Sequence, residues 1–359
     1  MTRRLAPADV VSVAFVVPLQ GPTGIYGPSC LACGELAVEQ LNASTGIAGR
    51  QVELVVVDAG RDPALVAEDV RRLVDSGRVQ AVAGWHISAV RQAVTRVVGG
   101  RVVYAFAAMH EGGDATPGVF MIGERPLNQL LPAAHWMREE LSVGRWAIVG
   151  NDYVFPRVTG ATARLALEDT PSEVVSETYV PLGTTDFAAV IGDLSQRPVD
   201  GVIMLLMGQD AVHFNRQFAR AGLSAQLPRL SPAVEENTLL AGGAAANEGL
   251  FAAAAYFDGM ATAESAELAR AYYARWGRWA PALNAVGESC YEAMLFLARL
   301  GEVCGSLDVR RVSAMESGQF WSSPRGLVRL DGNLVDQDVY VARADGLEFR
   351  VADQIARAH

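Results

Sequence analysis

Residues 18–63 read PLQGPTGIYGPSCLACGELAVEQLNASTGIAGRQVELVVVDAGRDP. The apolar run at 11–17 enters this stretch as a strand. A Pro/Gly loop ends it, because Pro22 lacks an N–H and the glycines allow tight backbone turns. Leu36, Ala37, Val38 and Leu41 then line a helix that stops at Asn42 and a Gly-rich turn. VELVVV is a second strand that closes on Asp58, and Asp62-Pro63 opens the next helix. Strand, loop, helix, strand predicts a parallel sheet with a crossover helix.

The alternation continues outward. Residues 64–76 carry Leu65, Val66, Val70, Leu73 and Val74 at helical spacing. VQAVAG, RVVYAF and VFMIG read as strands and 88–98 as a helix. A second series starts near Glu124, with strands at RWAIVGND, EVVSETYV, VDGVIMLLM and GLFAAAAYF. Helices are expected at 127–140, 157–167, 187–196, 211–221 and 235–242, then near 265–276 and 284–300. The tail, GLVRLDGNLVDQDVYVARADGLEFRV, alternates apolar and polar residues around Asp-Gly and Gly-Asn turns, the pattern of antiparallel strands. Two βα series predict an α/β fold of two Rossmann-like lobes with parallel central sheets.

The 359 residues carry a net charge of −10, which disfavours a sequence-independent grip on nucleic acid. No stretch is apolar and long enough to cross a bilayer. VVSVAFVVPL near the N-terminus lacks a small-residue cleavage site, so a cytoplasmic location is expected. An extracytoplasmic one is the alternative if a signal has been removed. Cys30, Cys33, Cys290 and Cys304 are expected to be free thiols. The C-x-x-C at 30–33 has no second ligand pair for zinc. G-x-S-x-G, Walker A, H-E-x-x-H and G-x-G-x-x-G are all missing. The expectation is a protein without catalytic residues, cofactor or metal.

In open α/β sheets ligands bind beyond the carboxyl ends of the strands. Four such exits stand out: 84–88 (GWHIS), 106–112 (FAAMHEG), 150–157 (GNDYVFPR) and 206–210 (LMGQD). They supply His86, Ser88, Phe106, Ala108, Met109, His110, Tyr153, Phe155 and Met207 as candidate ligand-binding residues, and Tyr26 follows the loop after the first strand. Ser88 opens a helix and is a plausible N-cap.

The opening stretch resembles the type I periplasmic-binding-protein superfamily, two-lobed receptors for amino acids, amides and urea. GNDYVFPR, GWHISAVRQAV, the HEG at 110–112 and PLGTTDF are similar to the cytoplasmic amide receptors that govern aliphatic amidase expression. That resemblance runs from about residue 11 to residue 345. It implies three interlobe crossings, near 122–126, 252–258 and 320–326, with lobe one at 10–123 plus 255–322 and lobe two at 124–254 plus 323–355. It also implies that Ser88 and Tyr153 contact the ligand. His86, Phe106 and His110 stand where the amide receptor has tyrosines, Ala108 where it has a threonine, and Phe155 replaces a further tyrosine. Each lost hydroxyl removes a hydrogen bond worth about 0.5–1.5 kcal/mol, so the pocket is expected to be less polar than one built for acetamide.

The function so implied is a receptor that binds a short amide or related small neutral metabolite between its lobes and controls a partner, an RNA-binding antiterminator protein. No direct nucleic-acid contact and no membrane insertion are expected, and self-association into a homo-oligomer is left open. The alternative is the extracytoplasmic solute-binding component of an ABC importer for amides, urea or branched-chain amino acids. An amino-acid sensor would need an anion for its ammonium, and Asp152 or Glu235 could serve.

Overall fold

A computed structural model describes residues 9–168, 170–315 and 317–356. In chain order the first series is β1 (Val10–Val17), α1 (Gly27–Asn42), β2 (Gln51–Asp58), α2 (Pro63–Asp75), β3 (Ala81–Gly84), α3 (Ser88–Val98), β4 (Val103–Phe106) and β5 (Val119–Met121). The second is α4 (Pro126–Leu141), β6 (Arg145–Asn151), α5 (Val154–Glu168), β7 (Glu173–Val180), α6 (Ala188–Leu194), β8 (Gly201–Leu205), α7 (Gln209–Arg220), β9 (Arg229–Ser231), α8 (Glu236–Gly242), α9 (Ala244–Asn247) and β10 (Leu250–Ala254). Then come α10 (Ala263–Trp276), α11 (Ala285–Cys304), α12 (Val309–Ser313), β11 (Gln319–Ser323), β12 (Gly326–Asp331), β13 (Leu334–Gln337), β14 (Val339–Asp345) and β15 (Glu348–Ala356).

Two sheets result, one per lobe. The first has the order β11-β12-β13-β5-β4-β3-β1-β2, the second β15-β14-β10-β9-β8-β6-β7. The β1, β3 and β4 pairings are parallel, and the terminal strands add antiparallel edges. Central strands are buried on both faces, so β8 reads as an unbroken apolar run and β1 as one interrupted only by Ser12. The edge strand β7 keeps no fully buried residue. Gly34 lets α1 lie against β1, since a Cβ there would meet the Phe15 ring at 2.5 Å.

The chain leaves the first sheet after β5, returns after β10, and leaves again between β13 and β14. The third crossing therefore falls at Asp338, not at 320–326, and residues 323–337 lie with lobe one. The hairpin turns were legible locally. The partner strand was not, because β13 joins the first sheet through the distant Leu334–Met121 pairing.

Polar side chains tie these crossings together. Glu124 Oε1 accepts from the Ala255 N–H at 2.8 Å, linking the first crossing to the second. The buried Arg325 guanidinium donates to Glu288 Oε2 at 2.5 Å, to Gln337 Oε1 at 2.6 Å, to the Ile122 carbonyl at 3.3 Å and to Ser289 Oγ. Arg125 pairs with Asp336 beside them. Removing one member of such a buried pair leaves an uncompensated charge. The hinge is therefore held by charge as well as by packing.

Candidate functional site

The carboxyl ends of the two sheets face each other and the lobes are closed. Met109 from the loop after β4 meets Phe155 on α5, Met207 after β8 and Ala233 after β9, with Tyr153 and Leu182 packed alongside. This apolar cluster draws on both lobes. Behind Met109 a residual cavity of about 10 Å³ is lined by Trp85, Glu124, Glu235 and Ser289 among others. That is room for about one water. A larger open hollow of about 790 Å³ surrounds Arg138, Arg145, Arg164 and Asp200. It lies at the amino end of β6, the wrong rim for a ligand in this architecture.

Tyr26 joins the lobes through its hydroxyl, which accepts from the Gly208 N–H at 2.8 Å and donates to the Ala233 carbonyl at 2.9 Å. Its ring packs edge-on against Trp85 at 4.9 Å. Gly208, at φ 52°, permits this contact, since a Cβ there would stand 2.2 Å from the Pro22 carbonyl oxygen. The Gln209 N–H donates to that same carbonyl at 2.9 Å. Tyr26 is thus an interlobe strut with its donor and acceptor in use, and burial pushes its pKa up.

His86 is likewise committed. Its Nδ1 lies 2.9 Å from the Val16 carbonyl, which can only accept, so Nδ1 carries the proton. Nε2 then accepts from the Tyr104 hydroxyl at 2.5 Å. Burial holds the ring down to about 4, against the Val16 bond, and the Arg91 charge adds to the effect. Phe106 packs edge-on against His86 at 5.2 Å, inside the first lobe's core. Ala108 is buried beside Gly123, whose Cβ would clash with the Ala108 carbonyl. The structure offers no free ring nitrogen at His86 and no apolar cleft face at Phe106.

His110 is fully buried. Its N–H donates to the Glu124 carbonyl at 2.9 Å, and its Nδ1 accepts from the Gly112 N–H at 3.0 Å. Nε2 has no partner. Burial, with Arg91 and Arg125, holds this imidazole down to about 3.

Ser88 is the first residue of α3 and Ile87 is its N-cap, so the expected capping bond does not form. The Ser88 hydroxyl instead donates to Glu111 Oε2 at 2.6 Å. Glu111 Oε1 accepts from Arg91 at 2.5 Å, and Arg91 reaches Asp114 at 2.7 Å. On the other lobe, Tyr153 is half-buried and its hydroxyl makes no hydrogen bond among the described residues. Burial pushes its pKa up, and the nearby Tyr26, Glu111 and Asp210 add to the effect. Asp210 accepts from Asn151 Nδ2 at 2.6 Å, from the Gly183 N–H at 2.9 Å and from the Thr184 N–H at 3.2 Å, while burial raises its pKa.

The structure therefore brings Met109, Tyr153, Phe155 and Met207 together and sets Ser88 on the facing wall through Glu111. It draws His86, Phe106, Ala108 and Tyr26 into packing and struts. Ala233, Leu182 and Trp85 were missed. Trp85 and Ala233 do lie at strand exits, whereas Leu182 follows an edge strand. All four cysteines are free thiols, as expected. Among the described residues no group of three or more His, Cys, Asp or Glu could hold a metal, and no helix is long and apolar enough to cross a membrane.

Two α/β lobes closing on a cleft at their strand ends match the family model described as periplasmic binding protein, over residues 10–348. The chain belongs to that family. The chain is 24% identical over 223 residues to the leucine-, isoleucine-, valine-, threonine- and alanine-binding protein of Pseudomonas aeruginosa. That match takes in 61% of the chain, and the chain spans 60% of that relative's length. Leu/Ile/Val-binding protein homolog 6 of Brucella melitensis is 27% identical, across 95% of this chain and 90% of the relative. A solved solute-binding protein of an ABC transporter from Rhodopseudomonas palustris HaA2, in complex with p-hydroxybenzoic acid, superposes with a TM-score of 0.86 at 19% identity, covering 98% of each chain. At that identity the likeness shows the fold. These relatives are named as binding proteins.

Proposed function

We propose that this chain is the substrate-binding component of an ABC importer that closes its lobes on a small neutral solute with an apolar body, amide-like in its polar end. The observation that carries this reading is the cluster of Met109, Phe155, Met207 and Ala233, assembled from both lobes beside the unpartnered Tyr153 hydroxyl. A solute replacing part of those contacts holds the lobes shut, and closure follows its preference for that state. The relatives support the importer over the regulator, for which the amide-receptor resemblance is the only support. The importer reading brings an extracytoplasmic location with it, in place of the cytoplasmic one first expected.

The carboxylates around the cluster leave little for an α-ammonium. Glu111 is bound by Ser88 and Arg91, Asp210 by Asn151 and two amides, and the exposed Asp152 by Arg157. Glu235 is buried, and burial with Glu236 and Glu124 nearby pushes it strongly toward its neutral form. A short amide of four or five heavy atoms has a ceiling of about −6 to −7.5 kcal/mol, or roughly micromolar to tens of micromolar affinity. Calorimetry with butyramide, benzamide, urea, p-hydroxybenzoate and leucine tests the reading. Amides are expected to bind and leucine is not. Tight leucine binding with silent amides would reverse the ligand class. A gene for an antiterminator beside this one, without permease genes, would restore the regulator.

A further inference from the structure

We propose that closure of the lobes is linked to the uptake of a proton, held on the Glu235 carboxyl where the second lobe meets the first. This rests on the reading of the chain as a binding protein that opens and shuts on a solute.

Glu235 stands between β9 and α8 in the second lobe, yet the first lobe helps to cover it. It lines the residual cavity with Trp85 and Met109, from the loops after β3 and β4, and with Ala285, Val286 and Ser289 of α11. α11 packs on α1, β3 and β4 and so belongs to the first lobe. These neighbours leave Glu235 only 3% exposed. Parting the lobes withdraws them, so the carboxyl is dry in the shut form and hydrated in the open one. In the shut form Glu124, from the first crossing, lies on the same cavity, and Glu236 is next in the chain. The Tyr26 hydroxyl and the Cys30 thiol are close enough to feel the Glu235 charge. His110, beside Met109, is kept neutral by burial. The neighbouring guanidiniums are committed elsewhere, Arg325 to Glu288 and Arg125 to Asp336. Two carboxylates facing one poorly hydrated space cannot both stay ionised. Burial, then the charges of Glu236 and Glu124, raises Glu235 well above its ordinary 4.5, and the Val286 and Ala285 N–H groups offset this only in part. The other hinge carboxylates keep their partners when the cleft opens. Glu288 bonds Arg325 and Glu292 bonds Trp321 within the first lobe, and Glu236 accepts from the Asp258 N–H at 2.9 Å. Between the open and the shut values of Glu235, closing takes up a proton. The shut form is therefore favoured by acid and weakens as pH rises through the shut value.

The test is calorimetry on the full chain with butyramide, which does not itself titrate near neutrality, in phosphate and in Tris. The buffers differ in ionisation heat, so the difference in binding heat counts the protons exchanged. The parent is expected to take up about half a proton or more, and to bind about three- to tenfold more tightly at about pH 7 than at about pH 8. Glu235→Gln keeps the shape and an acceptor oxygen but cannot titrate, and is expected to exchange no proton and bind equally at both pH values. A parent that binds butyramide with the same heat in both buffers and the same affinity at both pH values overturns the linkage while the cleft reading stands. That result is readable even if the variant does not fold. A folded Glu235→Gln that takes up protons as the parent does overturns the assignment to Glu235. If butyramide does not bind, the reading of the cleft for such solutes falls, and small-angle scattering of the ligand-free parent decides the linkage. Its radius of gyration is expected to be smaller at about pH 6 than at about pH 8, and an unchanged radius overturns the proposal.

Discussion

The first lobe's cleft wall is a charge network and the second lobe's is an apolar surface. Ser88, Arg91, Glu111 and Asp114 bond one another on one side. Phe155, Met207 and Ala233 present carbon on the other, beside the Tyr153 hydroxyl, which makes no hydrogen bond among the described residues. A matched network is rigid and selects by what it leaves unbonded. A carbon surface is non-directional and gains in proportion to the area it buries. Under the proposed function, one wall would decide the polar end of a solute and the other would grip its body.

The sharpest way to break this contrast is Arg91→Ala. It strands two buried carboxylates and should cost about 3–5 kcal/mol of stability in urea unfolding. A cost below about 1 kcal/mol would mean the first wall is not the closed network described. Phe155→Ala on the opposite wall opens a cavity and should cost about 3 kcal/mol by the same measurement. If instead it tightens ligand binding without loss of stability, the second wall is overfilled.

Acid separates the walls next. His110 lies behind the first wall with its folded pKa, about 3, below its usual value of 6.5. The unfolded chain therefore binds the proton more tightly between those values. The stability this group contributes is full above pH 6.5 and is lost as pH falls toward 3. His110→Phe lacks that loss, so its stability relative to the parent should rise by more than about 1 kcal/mol from pH 7 to pH 4. A pH-independent difference would place His110 in a more hydrated site. The smallest effect belongs to Tyr153→Phe. Stability should change by less than about 0.5 kcal/mol, while solute binding weakens by about 0.5–1.5 kcal/mol. Unchanged calorimetric affinity would remove Tyr153 from the site.

Much of the fold was legible because parallel strands buried on both faces must be apolar runs, and crossover helices must carry an apolar stripe. The expected helix at 88–98 and strand at 173–180 coincide with α3 and β7. Short elements were not legible. α9, α12 and β9 span only a few residues each, too few for a period to register. Within the interlobe cluster, strand exits pointed to Met109, Tyr153, Phe155 and Met207, since exit position follows from topology. The roles of His86 and Tyr26 were not readable. Val16, Tyr104, Gly208 and Ala233, which engage them, lie far off in the chain, with Ala233 207 residues from Tyr26.

The chain order of apolar runs, glycine turns and strand exits by itself determined two α/β lobes with their loops gathered at one rim, because burial patterns and turn chemistry are local properties. Only the tertiary structure decided which sheet takes β12 and β13, that the Ser88 hydroxyl is given to Glu111 and not to a helix cap, and which polar atoms face the cleft unbonded. Those outcomes depend on partners brought together from distant parts of the chain, and a hydroxyl or a strand edge carries no local mark of the partner it will meet.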